Sequence, residues 1–150
     1  MPYPEYLVAP MRQELTAVGA RECRTAADVD ATVASPGVVM MVVNSVCGCA
    51  AGKARPGIAQ ALQHTHKPDV VATVFAGADI EATDRARQYF TGFAPSSPSI
   101  GLLRDGKLVY MMERRQIENQ SAEGIASNLT AAFDQFCGRE AAEAVTPRPM

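Results

Sequence analysis

Cys47 and Cys49 stand one glycine apart in Asn44-Ser45-Val46-Cys47-Gly48-Cys49-Ala50-Ala51-Gly52-Lys53-Ala54-Arg55-Pro56. Two thiols this close can take up and pass on a disulfide. An apolar run, Val38-Val39-Met40-Met41-Val42-Val43, leads into them, and small and basic residues able to open a helix follow. That order reads strand, tight turn, helix N-terminus. Such a terminus has unpaired N–H groups and a partial positive charge, so it favours an anion. A thiolate is the anion on offer, and it is the reactive form of cysteine. We therefore read Cys47 and Cys49 as a redox pair and the rest of the chain as their scaffold.

Two plainer roles compete. Cysteine is among the most buried residue types, so a close pair can be core. Glycine and alanine around the pair weaken that reading, because a loop at a strand end is usually exposed. A structural zinc site commonly needs four ligands in two spaced pairs. Cys23 and Cys137 are distant in sequence, and His64 and His66 are separated by a single residue, unlike a recurrent zinc pair. We read the two histidines as solvated side chains near a helix end and expect no metal.

A length of 150 residues suits one domain with a full core. Apolar residues make up 47% and charged residues 20%, which fits a globular chain and not a disordered one. The net charge of −2 includes no basic block to grip phosphates, so nucleic acid is not an expected partner. No apolar run is long enough to span a bilayer, and the opening Met1-Pro2-Tyr3-Pro4-Glu5 lacks the regions of a signal peptide. We expect a cytoplasmic protein without a membrane partner. In that compartment a close cysteine pair is more often catalytic than structural.

Several elements must position the pair. Pro10 suits a first helical turn, with Met11, Leu15 and Val18 on one face and Gly19 as a stop, so a helix is expected over 10–19. A weak strand follows over 20–24, where Cys23 reads as packing. Thr25-Ala26-Ala27-Asp28 carries a capping signal for a helix with Val29 and Val33 on one face, closed by Ser35-Pro36-Gly37. The continuous β-branched run over 38–43 predicts a central strand buried on both faces. A helix is expected over 49–66, kinked or broken at Pro56-Gly57.

A second buried strand is expected over 69–75. Asp79 or Thr83 can open the next helix, with Ile80, Ala86 and Phe90 as inward candidates, and Gly92 closes it. Strands over 100–103 and 108–112 flank the hairpin signal Asp105-Gly106. Glu113-Arg114-Arg115 reads as a solvated strand end. Ser121 is a good N-cap for a helix with Ile125, Leu129, Phe133 and Phe136 in one stripe, stopped at Gly138. We expect one domain over 1–138 and a flexible tail over 139–150.

Strands alternating with helices argue for a layered α/β domain. The order resembles the thioredoxin fold, a central mixed sheet flanked by helices, here with an added N-terminal helix. The closer resemblance is to the bacilliredoxins, thioredoxin-like proteins with a Cys-x-Cys site. It rests on the segment from Val42 to Pro56 around the cysteines and on Pro95-Ser96-Ser97-Pro98-Ser99. Tyr6-Leu7-Val8-Ala9-Pro10-Met11-Arg12 and Phe133-Asp134-Gln135-Phe136-Cys137 add to it. The likeness covers nearly all of the chain up to Cys137.

The resemblance implies a thiol–disulfide oxidoreductase that removes the small thiol bacillithiol, or a similar one, from mixed disulfides on proteins. Cys47 would attack and Cys49 would resolve. No cofactor is implied beyond the thiols, with bacillithiol as co-substrate and S-thiolated proteins as clients. Gly48 would absorb the bend before the helix, so that the two thiols can meet. The small ring of the oxidised pair suits exchange more than forceful reduction. Lys53, one turn beyond Cys49, can lean back toward the thiolates or attract substrate carboxylates; Arg55 has a weaker case. The thioredoxin likeness further implies a cis Ser97–Pro98 bond against the cysteines, presenting the Ser97 backbone to substrate. Two rivals remain: a general protein disulfide isomerase or reductase, and a non-catalytic binding domain of thioredoxin shape.

Overall fold

A computed structural model describes residues 2–137. The expected stop at Gly138 and the tail over 139–150 lie outside those residues. The order is α1 Glu5–Thr16, β1 Arg21–Glu22, α2 Ala26–Val33, β2 Val38–Asn44, a π-helical turn Ala50–Ala54, α3 Arg55–Ala61, β3 Val70–Phe75, α4 Ile80–Tyr89, β4 Ser99–Arg104, β5 Lys107–Met112, α5 Arg114–Glu118 and α6 Ala122–Phe136. The sheet runs β1-β3-β2-β4-β5. β1, β3 and β2 are parallel, while β4 and β5 are antiparallel to their neighbours. This is the thioredoxin-like fold expected from the sequence, with α1 as the added N-terminal helix.

β2 is buried at all seven positions, and its alternation divides the core. Val38, Met40 and Val42 face a cluster with Leu15, Ile58, Ile125, Leu129 and Phe133, so α1, α3 and α6 cover that face. Val39, Met41 and Val43 face Cys23, Val29, Val33, Ala82 and Ala86, so α2 and α4 cover the other. A strand apolar on both sides is what two helical layers require. The Asp105-Gly106 hairpin forms with φ of 52° and 76°, the left-handed pair that matches the twist of the flanking strands. Thr25 and Asp28 form the expected capping box at the head of α2.

Four expectations are corrected. α1 begins at Glu5, not near Pro10, which lies inside it. Pro4 occupies the N-cap, and the donor that Pro10 removes faces the exposed Tyr6 turn, where solvent can satisfy the carbonyl. Ile80, expected inward on α4, is 52% exposed, while Asp79 opens that helix at its N-cap as expected but without a side-chain bond to it. Its carboxylate takes a two-pronged ion pair from buried Arg12, at 2.7 and 2.8 Å, and accepts the Phe75 N–H at 3.1 Å. That network fastens α1 to the β3–α4 turn. Residues 113–115 do not extend β5. Glu113 and Gln116 form a reciprocal cap, which opens α5.

The fourth correction concerns Pro56. The helix after the cysteines neither breaks nor stops there. It widens over Ala50–Ala54, where the Arg55 N–H reaches back five residues to the Ala50 carbonyl. A proline ring clashes with the carbonyl four residues before it in a regular α-helix. The wider turn relieves that clash, and α3 continues to Ala61. Gly57 then lets α3 approach α6: a Cβ there would lie 2.7 Å from Ile125 Cγ2 and 3.0 Å from the Ala122 carbonyl oxygen.

Candidate active site

The cysteine loop leaves β2 at Asn44, and a bracket of buried polar groups fixes that exit. Asn44 Oδ1 accepts the Ser45 N–H at 2.9 Å and Arg55 Nη1 at 3.0 Å. Arg55 Nη1 also donates to the Ser45 carbonyl at 2.8 Å, and Arg55 Nε pairs with Glu14 on α1 at 3.1 Å. Asn44 Nδ2 reaches the Met11 carbonyl at 3.3 Å. Arg55 is only 3% exposed, so its role is internal: it ties α3, α1 and the end of β2 together beneath the thiols. A planar guanidinium with several donors suits this task better than lysine.

Cys47 ends the loop. Its carbonyl accepts the N–H groups of Ala50 and Ala51, both at 3.1 Å, and so opens the helix. Its own N–H donates to the Ser45 hydroxyl at 3.3 Å. Cys47 and Cys49 are partly exposed free thiols, whereas Cys23 and Cys137 are free and buried. Gly48 between them is exposed. Burial works against ionisation of Cys47. The Ser45 hydroxyl, the N–H groups of Ala50 and Cys49 and the Arg114 charge outweigh it and hold the thiol below its ordinary value. Cys49 moves the opposite way: burial and the negative charges of Cys47 and Glu118 push it up, with Arg114 opposing. The two thiols are therefore tuned in opposite directions, Cys47 toward the thiolate and Cys49 toward the thiol.

Arg114 carries its charge to the thiols, although its sequence neighbours point only to a solvated strand end. Its N–H donates to the Ser96 hydroxyl at 3.4 Å, and Nη1 donates to the Ser97 carbonyl at 3.3 Å. It also pairs with Glu118 one turn along α5. Lys53, by contrast, gives its ammonium to the Glu118 carbonyl, so it clamps α5 to the π turn. The basic partner of the thiols comes from α5, and only folding brings it there.

The Ser97–Pro98 bond is cis, and Pro98 is buried. Ser99, the next residue, pairs with Val43 at the end of β2. Pro98 thus sits one register position on, alongside the exit to the cysteine loop. Ser99 donates its hydroxyl to the Ser96 carbonyl at 3.0 Å, which tightens this turn.

His64 and His66 are not simply solvated. His64 Nε2 and His66 Nδ1 each lie 2.8 Å from the same oxygen, Asp134 Oδ1. Cys23 and Cys137 are enclosed, and burial raises both thiols, Cys137 to about 12. Among the described residues, no helix is long and apolar enough to cross a membrane.

Comparison with known proteins agrees with this geometry. A family model described as "Disulphide isomerase" matches residues 3–137. A bacilliredoxin of Koribacter versatilis is 59% identical over 140 residues, covering 93% of this chain and 97% of the relative. A bacilliredoxin of Salinibacter ruber is 51% identical, covering 98% and 88%. Among solved structures, the oxidised thioredoxin of Plasmodium falciparum superposes with a TM-score of 0.54 at 12% identity, covering 80% of this chain and all of the other. The Malassezia sympodialis thioredoxin gives 0.52 at 15% identity, covering 79% and 90%. Those structures share the fold. With its thiol pair at the head of a thioredoxin-fold helix, the chain is a thiol–disulfide oxidoreductase and belongs to the bacilliredoxin family.

Proposed function

We propose that this chain removes bacillithiol, or a similar low-molecular-weight thiol, from mixed disulfides on cytoplasmic proteins. The observation that carries the reading is the opposed tuning of the two thiols. Cys47 is lowered and Cys49 raised, one residue apart, by groups on three separate elements. Exchange depends on thiolate fraction, leaving-group pKa and access, and this arrangement supplies the first and third at Cys47.

Cys47 thiolate attacks the sulfur of the small thiol. The bond between that sulfur and the client cysteine breaks, and the client leaves as a thiolate that takes up a proton. Cys47 then carries the small thiol in a new disulfide. Cys49 loses its proton and attacks Cys47 Sγ, which expels the small thiol and closes the Cys47–Cys49 disulfide. A second small thiol can instead attack the bound one, releasing its oxidised dimer and restoring Cys47. Gly48 allows the approach of the two sulfurs. The Ser97 main chain beside Pro98 lines the client path, and Arg114 favours an anionic thiol, while Lys53 holds α5 in place beside it.

The test uses a bacillithiolated client protein. The Cys49→Ser variant is expected to accumulate the small thiol on Cys47, read by mass spectrometry, when no other thiol is present. A folded Cys49→Ser variant without that adduct overturns the stepwise route. The "Disulphide isomerase" description of the family model favours a second reading, rearrangement of protein disulfides. It predicts that scrambled disulfide-bonded proteins turn over at least as fast as small-thiol adducts.

A further inference from the structure

Away from the cysteine loop, the turn that follows α3 brings His64 and His66 against Asp134 on the last turns of α6. His64 Nε2 and His66 Nδ1 both point at Asp134 Oδ1, each at 2.8 Å. The three ligand atoms lie within 4.8 Å of one another. The two rings stand nearly perpendicular, at 80°, with centroids 6.1 Å apart. The histidines are half-buried and Asp134 is exposed, which leaves one side open to solvent.

We propose that His64, His66 and Asp134 form a binding site for a divalent transition metal ion, with zinc(II) as its best-suited class. Imidazole nitrogen with one carboxylate is a donor set that zinc accepts, at about 2.0–2.2 Å from each atom. Around a tetrahedral centre those bonds place neighbouring ligand atoms about 3.3 Å apart. The two N···O separations must open by about half an ångström and the two ring nitrogens, which lie within 4.8 Å of each other, must settle at that same spacing, adjustments that these partly exposed side chains make by rotation. Coordination also needs a lone pair on the inward nitrogen of each ring. A neutral ring supplies it by moving its proton to the outer nitrogen, His64 Nδ1 or His66 Nε2. A cationic ring supplies it by releasing one proton to solvent. The carboxylate of an aspartate is anionic at neutral pH and supplies the third donor.

Preorganisation comes from the scaffold. α3 and α6 pack through Ile58, Ala61, Ile125, Leu129 and Phe133, so the histidine turn and Asp134 sit on one rigid pair of helices. A metal here would fasten the exit of α3 to the C-terminal end of α6. The same helix pair carries the cysteine loop at its opposite end. The site uses none of the thiol machinery.

The experiment must separate this site from the thiols, which also bind zinc. Zinc chloride is titrated into the reduced Cys47→Ser/Cys49→Ser double variant by calorimetry, and Tm is followed alongside. One zinc per chain and a rise in Tm are expected. Adding His66→Ala or Asp134→Ala should lower affinity at least about tenfold, since even groups behind a metal ligand matter that much. Cobalt(II) should give d–d absorption without a thiolate charge-transfer band. Zinc binding that disappears with the two cysteines and survives in the His66→Ala chain overturns the proposal. So does a double variant that takes up no zinc while keeping its fold.

Discussion

Arg114 donates through Nη1 to the carbonyl of Ser97, holding a full positive charge between the Pro98 turn and the thiol pair. Arg114 is among the groups that lower Cys47 and the one that opposes the rise of Cys49. Replacing it with alanine is expected to slow alkylation of Cys47 by a few-fold near neutral pH. The rates of the two proteins should converge at alkaline pH, where Cys47 is fully ionised in both. Arg114→Lys should recover part of the loss. Equal rates across the whole pH range would remove Arg114 from the site.

Labelling should also separate the four cysteines by pH. A lowered thiol ionises first as pH rises, and a raised one later. Below the ordinary thiol range, site-resolved mass spectrometry with iodoacetamide should find Cys47 modified ahead of Cys49. As pH climbs, Cys49 should follow. Cys23 and Cys137 should stay unmodified until the protein unfolds, since both are buried and burial raises both. A trace in which Cys49 reacts first would exchange the roles assigned to the pair.

Arg55 should matter for stability and for the loop together. Arg55→Ala strands the Asn44 and Ser45 acceptors and leaves Glu14 without its partner. Taking a charged donor away from buried acceptors costs about 1–3 kcal/mol, and half-exposed Glu14 adds little to that. Urea unfolding should show a loss in that range, and Cys47 should react more slowly because Ser45 loses its anchor. Arg55→Lys should recover little, because an ammonium cannot span the same acceptors.

Gly57→Ala should loosen the packing of α3 on α6. Its methyl group meets Ile125 and the Ala122 carbonyl. Overpacking of this kind costs about 1–3 kcal/mol. The double variant with Ile125→Ala, which removes the Cγ2 that the new methyl meets, should regain part of it, and a thermodynamic cycle from urea unfolding measures the coupling. Strict additivity would show that the contact is relieved elsewhere.

Part of this architecture is legible in the residues alone, and part depends on contacts that only folding makes. The run over 38–43 announces a central strand because β-branched residues without alternation have few other places to go. Cys47-Gly48-Cys49 declares its chemistry through its place between that strand and a helix start. Pro10 misleads because proline favours a first helical turn, whereas Pro4 takes the start. Arg114 is hidden for a different reason. Its local neighbours, Glu113 and Arg115, look like surface, and only the hairpin and the cap at Glu113 turn it toward the thiols. His64 and Asp134 meet on the same terms, since no local pattern links a turn after α3 to the end of α6.

The π turn ahead of Pro56 makes sequence distance part of the redox motif. Its extra residue sets the phase between Cys49 and the packed body of α3. If the same residues between Cys49 and Pro56 wound as an ordinary helix, at about 100° per residue, the segment would over-rotate and the cysteine loop would swing around the axis by most of one residue's turn. The thiols would then face away from Arg114 and the Pro98 turn with every side chain of the site still in the chain. The interval from the second cysteine to the proline therefore works as a ruler, and its length is as much an element of the site as the cysteines themselves.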